Sequence, residues 1–567
     1  MKKILMFVLA ALLLALSSCM INQNTSPNSN IENIVVPIDK GAEIMEDIVI
    51  VGYKTSKQDA IDLVTKIDPT ATVRADLEKI NAISFRTSLP YSQIRTEIME
   101  ELKKNADLRE KISYVEPSYR RYLIEPVKND NAKDLLESTL KTRTITVEEE
   151  EEFWEWLWGI RKVKAPEAWE LGYTGEGIIV AVIDTGVDGT HPDLQGQLVE
   201  GYRPLTDETL PPASDSSFGG AHGTHVAGTI AAKKDGIGVV GVAPNAKIMP
   251  IVIFDTGAPT PTGEDGGYIG DDYVAEGFLW ALENGARVFS NSWGGKGYSI
   301  TLAHTIARVI SNGGVVIASA GNSHTDEIHY PSCYPGVINV AASTAVDGIT
   351  YFSTRGRWVT VAAPGDYTIL STVPLWDTSE FFDGENPYAF YGGTSMATPH
   401  VSGLVALLLE KLEEEGVNYT VYQIRKHVAA TADDIMAPGF DHDSGWGRIN
   451  AYKALTQPLP ADEGANVYFQ FYYSYLVDSE TGETVTEPAS QVYVTMYPEN
   501  ETVPVYYGKS DDYGFLPFIG IEPGTYDVYM GFGDAAYLGM PVSMQKVKHK
   551  KITVYNGDNT FVEIFEF

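Results

Sequence analysis

Three short strings of this chain carry, in order, an aspartate, a histidine and a serine. They are Ile183-Asp184-Thr185-Gly186, His222-Gly223-Thr224-His225-Val226-Ala227-Gly228-Thr229 and Gly393-Thr394-Ser395-Met396-Ala397-Thr398-Pro399-His400. A serine hydroxyl is a poor nucleophile at its own pKa and needs a base that accepts its proton near neutral pH, for which histidine is the natural candidate. An aspartate can hold that imidazole in one tautomer and stabilise the imidazolium. Asp184 closes an apolar run, at a strand end where a parallel α/β sheet presents its functional groups. Ser395 opens an apolar helical stretch, Ser395 to Lys411, with Gly392-Gly393 allowing close approach and the helix N-terminus favouring negative charge near the hydroxyl. Each residue alone has a plainer reading. An Asp at a strand end can be a cap, a Ser before a helix is usually an N-cap, and Asp-Thr-Gly also fits an aspartic peptidase.

Together the three strings resemble the triad motifs of the subtilisin family of serine peptidases. The order Asp, His, Ser separates that type from chymotrypsin-like enzymes and from α/β-hydrolases. The resemblance implies that Ser395 is the nucleophile, His222 its base and Asp184 the orienting carboxylate, with His225 and His400 structural. Ala318-Ser319-Ala320-Gly321-Asn322 resembles the family's oxyanion segment and makes Asn322 a side-chain donor beside the backbone N–H of Ser395. Ser292-Trp293-Gly294-Gly295 resembles the strand that pairs with extended peptide, so Ser292, Trp293 and Gly294 are expected to bind substrate. Ser323 follows Asn322 and no acidic anchor is evident there, which favours an apolar or aromatic P1 residue. Asp193 and Asp235 resemble positions that share a structural Ca²⁺ with the loop carbonyls of Lys233, Ile237 and Val239, and Gly236 and Gly238 permit the bend that turns those carbonyls inward. A further ligand near the catalytic N-terminus is not identifiable from the sequence.

Reactive groups at strand ends need a covered sheet. Near-continuous apolar runs (178–183, 248–254, 315–320) alternate with helical patterns such as Asp272 to Asn284. Such runs demand a parallel sheet buried on both faces, so residues 153–457 are expected to form a doubly wound, mainly parallel α/β domain. Its start at Trp158 to Trp169 and its close at Gly445-Trp446-Gly447-Arg448 resemble the limits of a subtilase catalytic domain. Upstream, residues 45–124 read as β-α-β-β-α-β, a ferredoxin-like α+β unit. Its Ile50-Val51-Gly52-Tyr53-Lys54 and Ser113-Tyr114-Val115-Glu116-Pro117 resemble the inhibitory propeptide of subtilisins. That implies a chaperone and inhibitor whose tail, near Tyr119 to Ile124, lies in the cleft after self-cleavage. Residues 125–152 read as an acidic linker, with Glu148 to Glu152 as solvated charge rather than a site. From 458 to 567, short alternating strands rich in Tyr and Phe indicate an all-β sandwich similar to transthyretin-like accessory domains.

The N-terminus has the form of a secretory signal peptide, residues 1–19: a basic start, the apolar stretch Ile4 to Leu16, then small residues. Leu16-Ser17-Ser18-Cys19 resembles a bacterial lipobox, which implies lipid on Cys19, and residues 20–44 form an Asn/Ser/Pro-rich disordered tether. Cys333 is the one other thiol, a packed small side chain, so no intrachain disulfide is expected once Cys19 is acylated. A net charge of −34 argues against nucleic acid as a partner. The whole reads as an exported, self-processed zymogen of a serine endopeptidase that acts broadly on polypeptides through an acyl-enzyme. Its own propeptide is the inhibitor and Ca²⁺ a structural cofactor. The precursor touches the membrane only through lipidated Cys19, and the mature enzyme is extracellular. Two competing readings are a surface lipoprotein with an inactive subtilase domain and a narrow processing peptidase. Acidic residues lining the cleft would mark the latter.

Overall fold

The computed structural model describes residues 41–124, 126–129, 131–133, 135–136, 151–256, 267–356, 358–378, 382–461, 465–478, 483–489, 492–500, 505–510, 515–532, 548–555 and 557–566. The expected signal segment, Cys19, most of the tether and residues 137–150 of the expected linker lie outside the described residues. Among the described residues, no helix is long and apolar enough to cross a membrane.

The region from 153 to 457 is built on an eight-stranded sheet. Its strands run, edge to edge, Val361–Pro364, Ile338–Ser343, Val315–Ser319, Val288–Asn291, Ile179–Asp184, Lys247–Val252, Gly201–Arg203 and Glu208–Leu210. All neighbours are parallel except the last pair. The apolar runs are buried because helices pack on the sheet: His222–Ala231 with Thr394–Glu414, and Asp271–Glu283 with Ile300–Ser311. Ile179–Asp184 comes first in the chain yet lies mid-sheet. From it the chain winds to one side, through Lys247–Val252, and then crosses to Val288–Asn291 on the other. That reversal opens a crevice at the C-terminal strand ends, where α/β sheets place their sites.

Residues 44–119 form the expected α+β unit, with strands in the order Thr72–Leu77, Ala82–Arg86, Ile44–Tyr53, Ile112–Tyr119, all antiparallel. Its helices Lys57–Ile67 and Tyr91–Lys104 present Leu63, Val64, Ile94, Ile98 and Leu102 to a core of their own around Val49, Val51 and Phe85. Among the described residues, the C-terminal region is a sandwich of two four-stranded sheets. Alternate residues Val467, Phe469 and Phe471 face Val494, Met496, Val528 and Met530 across its core, which is the period-two pattern of strands buried on one face. Its strand Phe515–Ile521 packs on the helix Ile300–Ser311.

Candidate active site

Asp184 is the last residue of its strand and fully buried, and Thr185-Gly186 turns the chain toward the helix that carries His222. The Thr185 hydroxyl accepts from Gly223 N (2.8 Å) and donates to Gly220 O (3.1 Å), which ties that turn to the first turn of the helix. A Cβ on Gly223 would come within 2.2 Å of Gly186 O, so glycine is what lets the two segments meet. Asp184 Oδ1 then lies 2.8 Å from His222 Nδ1 and also accepts from Thr185 N at 2.8 Å. A carboxylate only accepts, so the proton sits on Nδ1 and the lone pair on Nε2, the tautomer a general base needs. His225 points elsewhere: its ring stacks on Tyr391 (4.5 Å) and its Nε2 meets the carbonyls of Ile369 and Ala389. Burial pushes the His225 imidazole down to about 3 and that of His400 to about 4, so both are neutral core residues.

Ser395 lies in the first turn of Thr394–Glu414, a helix slightly longer than the sequence pattern suggests. Pro399 sits inside this helix and has no N–H, so the carbonyl of Ser395, four residues earlier, loses its helical partner. The Ser292 hydroxyl supplies the replacement, donating to Ser395 O at 3.0 Å. The sequence reading of Ser292 as a peptide-strand residue did not include this role. Asn322 follows the strand Val315–Ser319, and its Oδ1 accepts from Thr394 N (3.0 Å) and Thr394 Oγ1 (3.1 Å). With the oxygen anchored, Nδ2 is the end of the amide that faces a ligand. Gly393 has φ 149°, and a Cβ there would lie 3.1 Å from Asn322 Nδ2. The glycine therefore keeps that donor accessible.

An extended piece of the chain itself occupies the crevice. Tyr122–Leu123 pairs antiparallel with Trp293–Gly294, placing Leu123 opposite Trp293 and Tyr122 opposite Gly294. On the other side of Ser395, Val127 N donates to Gly392 O (2.7 Å) and Gly392 N to Val127 O (3.1 Å). Between the two pairings, the Ser395 hydroxyl lies 2.9 Å from the carbonyl oxygen of Ile124 and 3.2 Å from that of Ser292. A base-oriented imidazole, a serine at a helix N-terminus, an amide donor and a peptide carbonyl held against the serine form an arrangement suited to acyl transfer.

The Subtilase family profile matches residues 175–447. Fervidolysin of Fervidobacterium pennivorans is 40% identical over 564 residues, 94% of this chain and 76% of fervidolysin. The chain belongs to the subtilase family. Within it, thermitase of Thermoactinomyces vulgaris is 36% identical, covering 53% of this chain and 95% of thermitase. Subtilisin E of Bacillus subtilis strain 168 is 38% identical, covering 52% and 70%. The crystal structure of fervidolysin, described as a keratinolytic enzyme related to subtilisin, superposes with a TM-score of 0.79 at 36% identity, over 96% of this chain and 81% of that one. This subtilase is accordingly a subtilisin-like serine endopeptidase, and an Asp-His-Ser triad is characteristic of the family.

The loop with Lys233, Asp235, Ile237 and Val239 packs against the buried acids Asp193 and Glu151, while its own Asp235 is exposed. Asp193 Oδ2 accepts from Val239 N at 2.9 Å, and Lys233 N donates to Asp193 O at 3.0 Å. Gly238 has φ 51°, and a Cβ there would collide with the Tyr388 hydroxyl and lie 2.6 Å from Asp193 Oδ2. Glu151 corrects the sequence reading, which took it for solvated linker: it is only 5% exposed, and its Oε2 accepts the N–H of Gly236 at 3.0 Å. Glu152, though exposed, accepts from Gly238 N at 3.3 Å. Burial pushes the carboxyls of Glu151 and Asp193 up to about 7 each, and one oxygen of each, Glu151 Oε1 and Asp193 Oδ1, is buried with no hydrogen-bond partner. Two buried, half-satisfied carboxylates beside a glycine-bent loop suit a hard cation with oxygen ligands. Among the described residues, no group of three or more His, Cys, Asp or Glu side chains is arranged to hold a metal, so most ligands here would be main-chain carbonyls.

The α+β unit reaches the catalytic domain through buried polar contacts. Glu116 accepts from Ile300 N (2.8 Å), Thr301 N (2.9 Å) and Ser299 Oγ (3.1 Å), capping the helix Ile300–Ser311 from outside its own domain. Arg74 Nε donates to Asp272 Oδ2 at 2.9 Å, and the Ser84 hydroxyl donates to the same oxygen at 2.6 Å. Removing one partner of a buried, hydrogen-bonded charge costs roughly 2 kcal/mol or more. Glu116→Ala should therefore destabilise the contact of residues 44–119 with this domain by roughly 2 kcal/mol or more. Thermal unfolding of the Ser395→Ala chain with and without the change measures the effect, and an unchanged Tm would remove Glu116 from the interface energetics.

Proposed function

We propose that this subtilase is made as a zymogen that cuts itself at Ile124–Glu125 and then hydrolyses other polypeptides. The single observation behind this reading is the 2.9 Å approach of Ser395 Oγ to the Ile124 carbonyl, with the chain paired on both sides of it. In the reaction, Nε2 of His222 takes the proton of Ser395 as Oγ attacks the scissile carbonyl carbon. The oxyanion forms toward Asn322 Nδ2 and the N–H of Ser395, while Asp184 stabilises the imidazolium. His222 returns the proton to the leaving amine, and water then hydrolyses the acyl-enzyme by the reverse roles. Residues 45–124 remain as an inhibitor until degraded, residues 125–150 act as a linker, and 458–567 as an accessory domain. Ile124 at the acyl position supports an apolar P1 preference. Export through the N-terminal segment and a lipid on Cys19 would hold the precursor at the membrane, and the same cut would free the enzyme. The test is casein digestion and intact mass of the chain lacking residues 1–19, compared with Ser395→Ala.

Calcium is part of this proposal. Glu151, Asp193 and the carbonyls of Lys233, Ile237 and Val239 would hold it, and its charge would neutralise two carboxylates that the fold keeps out of water. The sign of the pH effect follows. With the carboxyls of Glu151 and Asp193 raised to about 7, the folded chain binds these protons more tightly than the unfolded chain does. Without the ion, stability therefore falls as pH rises from the ordinary carboxylate range to about 7. Chelation should lower Tm most above that pH and little at pH 5, and calcium at about 100 times its Kd should restore roughly 2.7 kcal/mol. Equal effects of chelator at pH 5 and pH 8 in thermal unfolding would contradict this assignment.

A further inference from the structure

The strand in the crevice leaves Tyr122 45% exposed but buries Arg121 completely. Counted upstream from the Ile124–Glu125 bond, Arg121 is the fourth residue, and its main chain lies beside Gly295. Its guanidinium is held by a fork: Nε donates to Asp271 Oδ1 at 3.0 Å and Nη2 to Asp271 Oδ2 at 2.9 Å. Nη1 donates to the carbonyls of Lys296 (2.8 Å) and Gly297 (2.9 Å), with that of Gly295 at 3.4 Å. Both side chains of the pair are 0% exposed. The Tyr268 hydroxyl donates to Asp271 Oδ1 at 2.6 Å and fixes the carboxylate from the other side.

Every one of these acceptors belongs to the catalytic domain. Asp271 is the first residue of the helix Asp271–Glu283, and the three carbonyls follow the strand Trp293–Gly294. They remain in place when the N-terminal unit leaves. What remains is a carboxylate facing a row of carbonyl oxygens, a set of acceptors that a guanidinium matches best: it is planar, always charged and has five donors in a fixed fork. Docking of the N-terminal unit alone does not require this, because a buried ion pair gives little net stability over apolar packing of the same volume.

We infer that Asp271, Tyr268 and the 295–297 carbonyls form a specificity pocket that selects arginine four residues upstream of the cleaved bond in polypeptide substrates. The inference rests on the proposed peptidase reading and makes the enzyme narrower than its main-chain pairing alone would. An apolar residue in this pocket leaves the carboxylate and carbonyls unpaired, glutamate adds like-charge repulsion, and lysine brings the charge without the fork. A site built to hydrogen-bond one group rejects analogues lacking it far more strongly than an apolar slot discriminates by size.

The test uses the self-processed enzyme and four chromogenic peptides, acetyl-X-Tyr-Leu-Ile with a nitroanilide leaving group, in which X is Arg, Lys, Leu or Glu. The expected order of kcat/KM is Arg, Lys, Leu, Glu, with Arg ahead of Leu by about tenfold or more. In the doubly altered chain Arg121→Leu, Asp271→Leu, made so that the N-terminal unit still fits its pocket, the order of Arg and Leu should reverse. If the unaltered enzyme digests casein but cleaves the Leu peptide as fast as the Arg peptide, the pocket inference is overturned and the peptidase reading stands. If it digests neither casein nor any peptide, the peptidase reading fails and the inference with it. The comparison among peptides needs no variant, so a misfolded double variant leaves it decisive.

Discussion

Ser395→Ala yields a chain that keeps its N-terminal unit covalently attached, whereas the unaltered chain gains a new N-terminus at Glu125. The expectation follows from where the chain lies. Leu123 and Val127 are each paired to the walls of the crevice, on either side of the point where Ile124 O meets Ser395 Oγ. Holding the reacting carbonyl against the nucleophile in this way replaces an encounter between molecules with a step inside one, which is worth about 7–11 kcal/mol of barrier in well-oriented systems. Proximity without a nucleophile does nothing, so the alanine variant retains the pairing and loses the reaction. Turnover on casein should fall by a factor on the order of 10⁶, the cost known for loss of the nucleophile in a subtilisin, a member of this same family. The fold is unaffected, because among the described residues the Ser395 hydroxyl hydrogen-bonds the carbonyls of Ile124 and Ser292, whereas the structural bond at this position is made by Ser395 O. Intact mass and N-terminal sequencing read the result. A purified Ser395→Ala chain that still begins at Glu125 after incubation would show that another residue or another molecule makes the cut.

Asn322→Ala should lower kcat by about 10²- to 10³-fold with little change in KM. The magnitude is the one known for the oxyanion-hole asparagine of subtilisin, borrowed here for a member of its family. The split between kcat and KM has its own physical basis. The Nδ2 donor meets negative charge that develops only as the carbonyl becomes tetrahedral, so its loss is felt in the transition state and not in the bound substrate. Alanine also deprives Thr394 N and Oγ1 of their acceptor, which costs roughly 1–3 kcal/mol of stability if they are left buried and unpaired. Thermal unfolding of the same variant separates the two effects. A rise in KM with kcat unchanged would assign Asn322 to substrate binding instead.

Asp184, His222, Ser395 and Asn322 stand out in the sequence because each sits in a contiguous string whose neighbours perform local tasks. Thr185 and Gly223 join the Asp and His segments, and Gly393 clears space beside the amide. The N-terminal unit was readable for a similar reason: its helical and strand periods are local, and Lys57–Ile67 is the first helix of the expected β-α-β-β-α-β order. The Ser292 hydroxyl is less legible, since its bond to Ser395 O follows from the missing N–H of Pro399, more than a hundred residues away. Glu151 was hidden by its surroundings. A run of five acidic residues has the composition of solvated charge, and only the fold brings one of them against the N–H of Gly236.

The amino-acid sequence by itself determined the chemistry available to this protein, because nucleophile, base, orienting acid and oxyanion donor are properties of residue types in short strings. It also determined the order of folding units, because hydrophobic periodicity is local. Only the tertiary structure decided which distant residues meet in the crevice. Arg121 and Asp271 are 150 residues apart and unremarkable alone, and they became a matched pair when strand pairing laid one chain segment across another domain. Complementarity of that kind depends on the positions of distant groups in space, which no local pattern encodes.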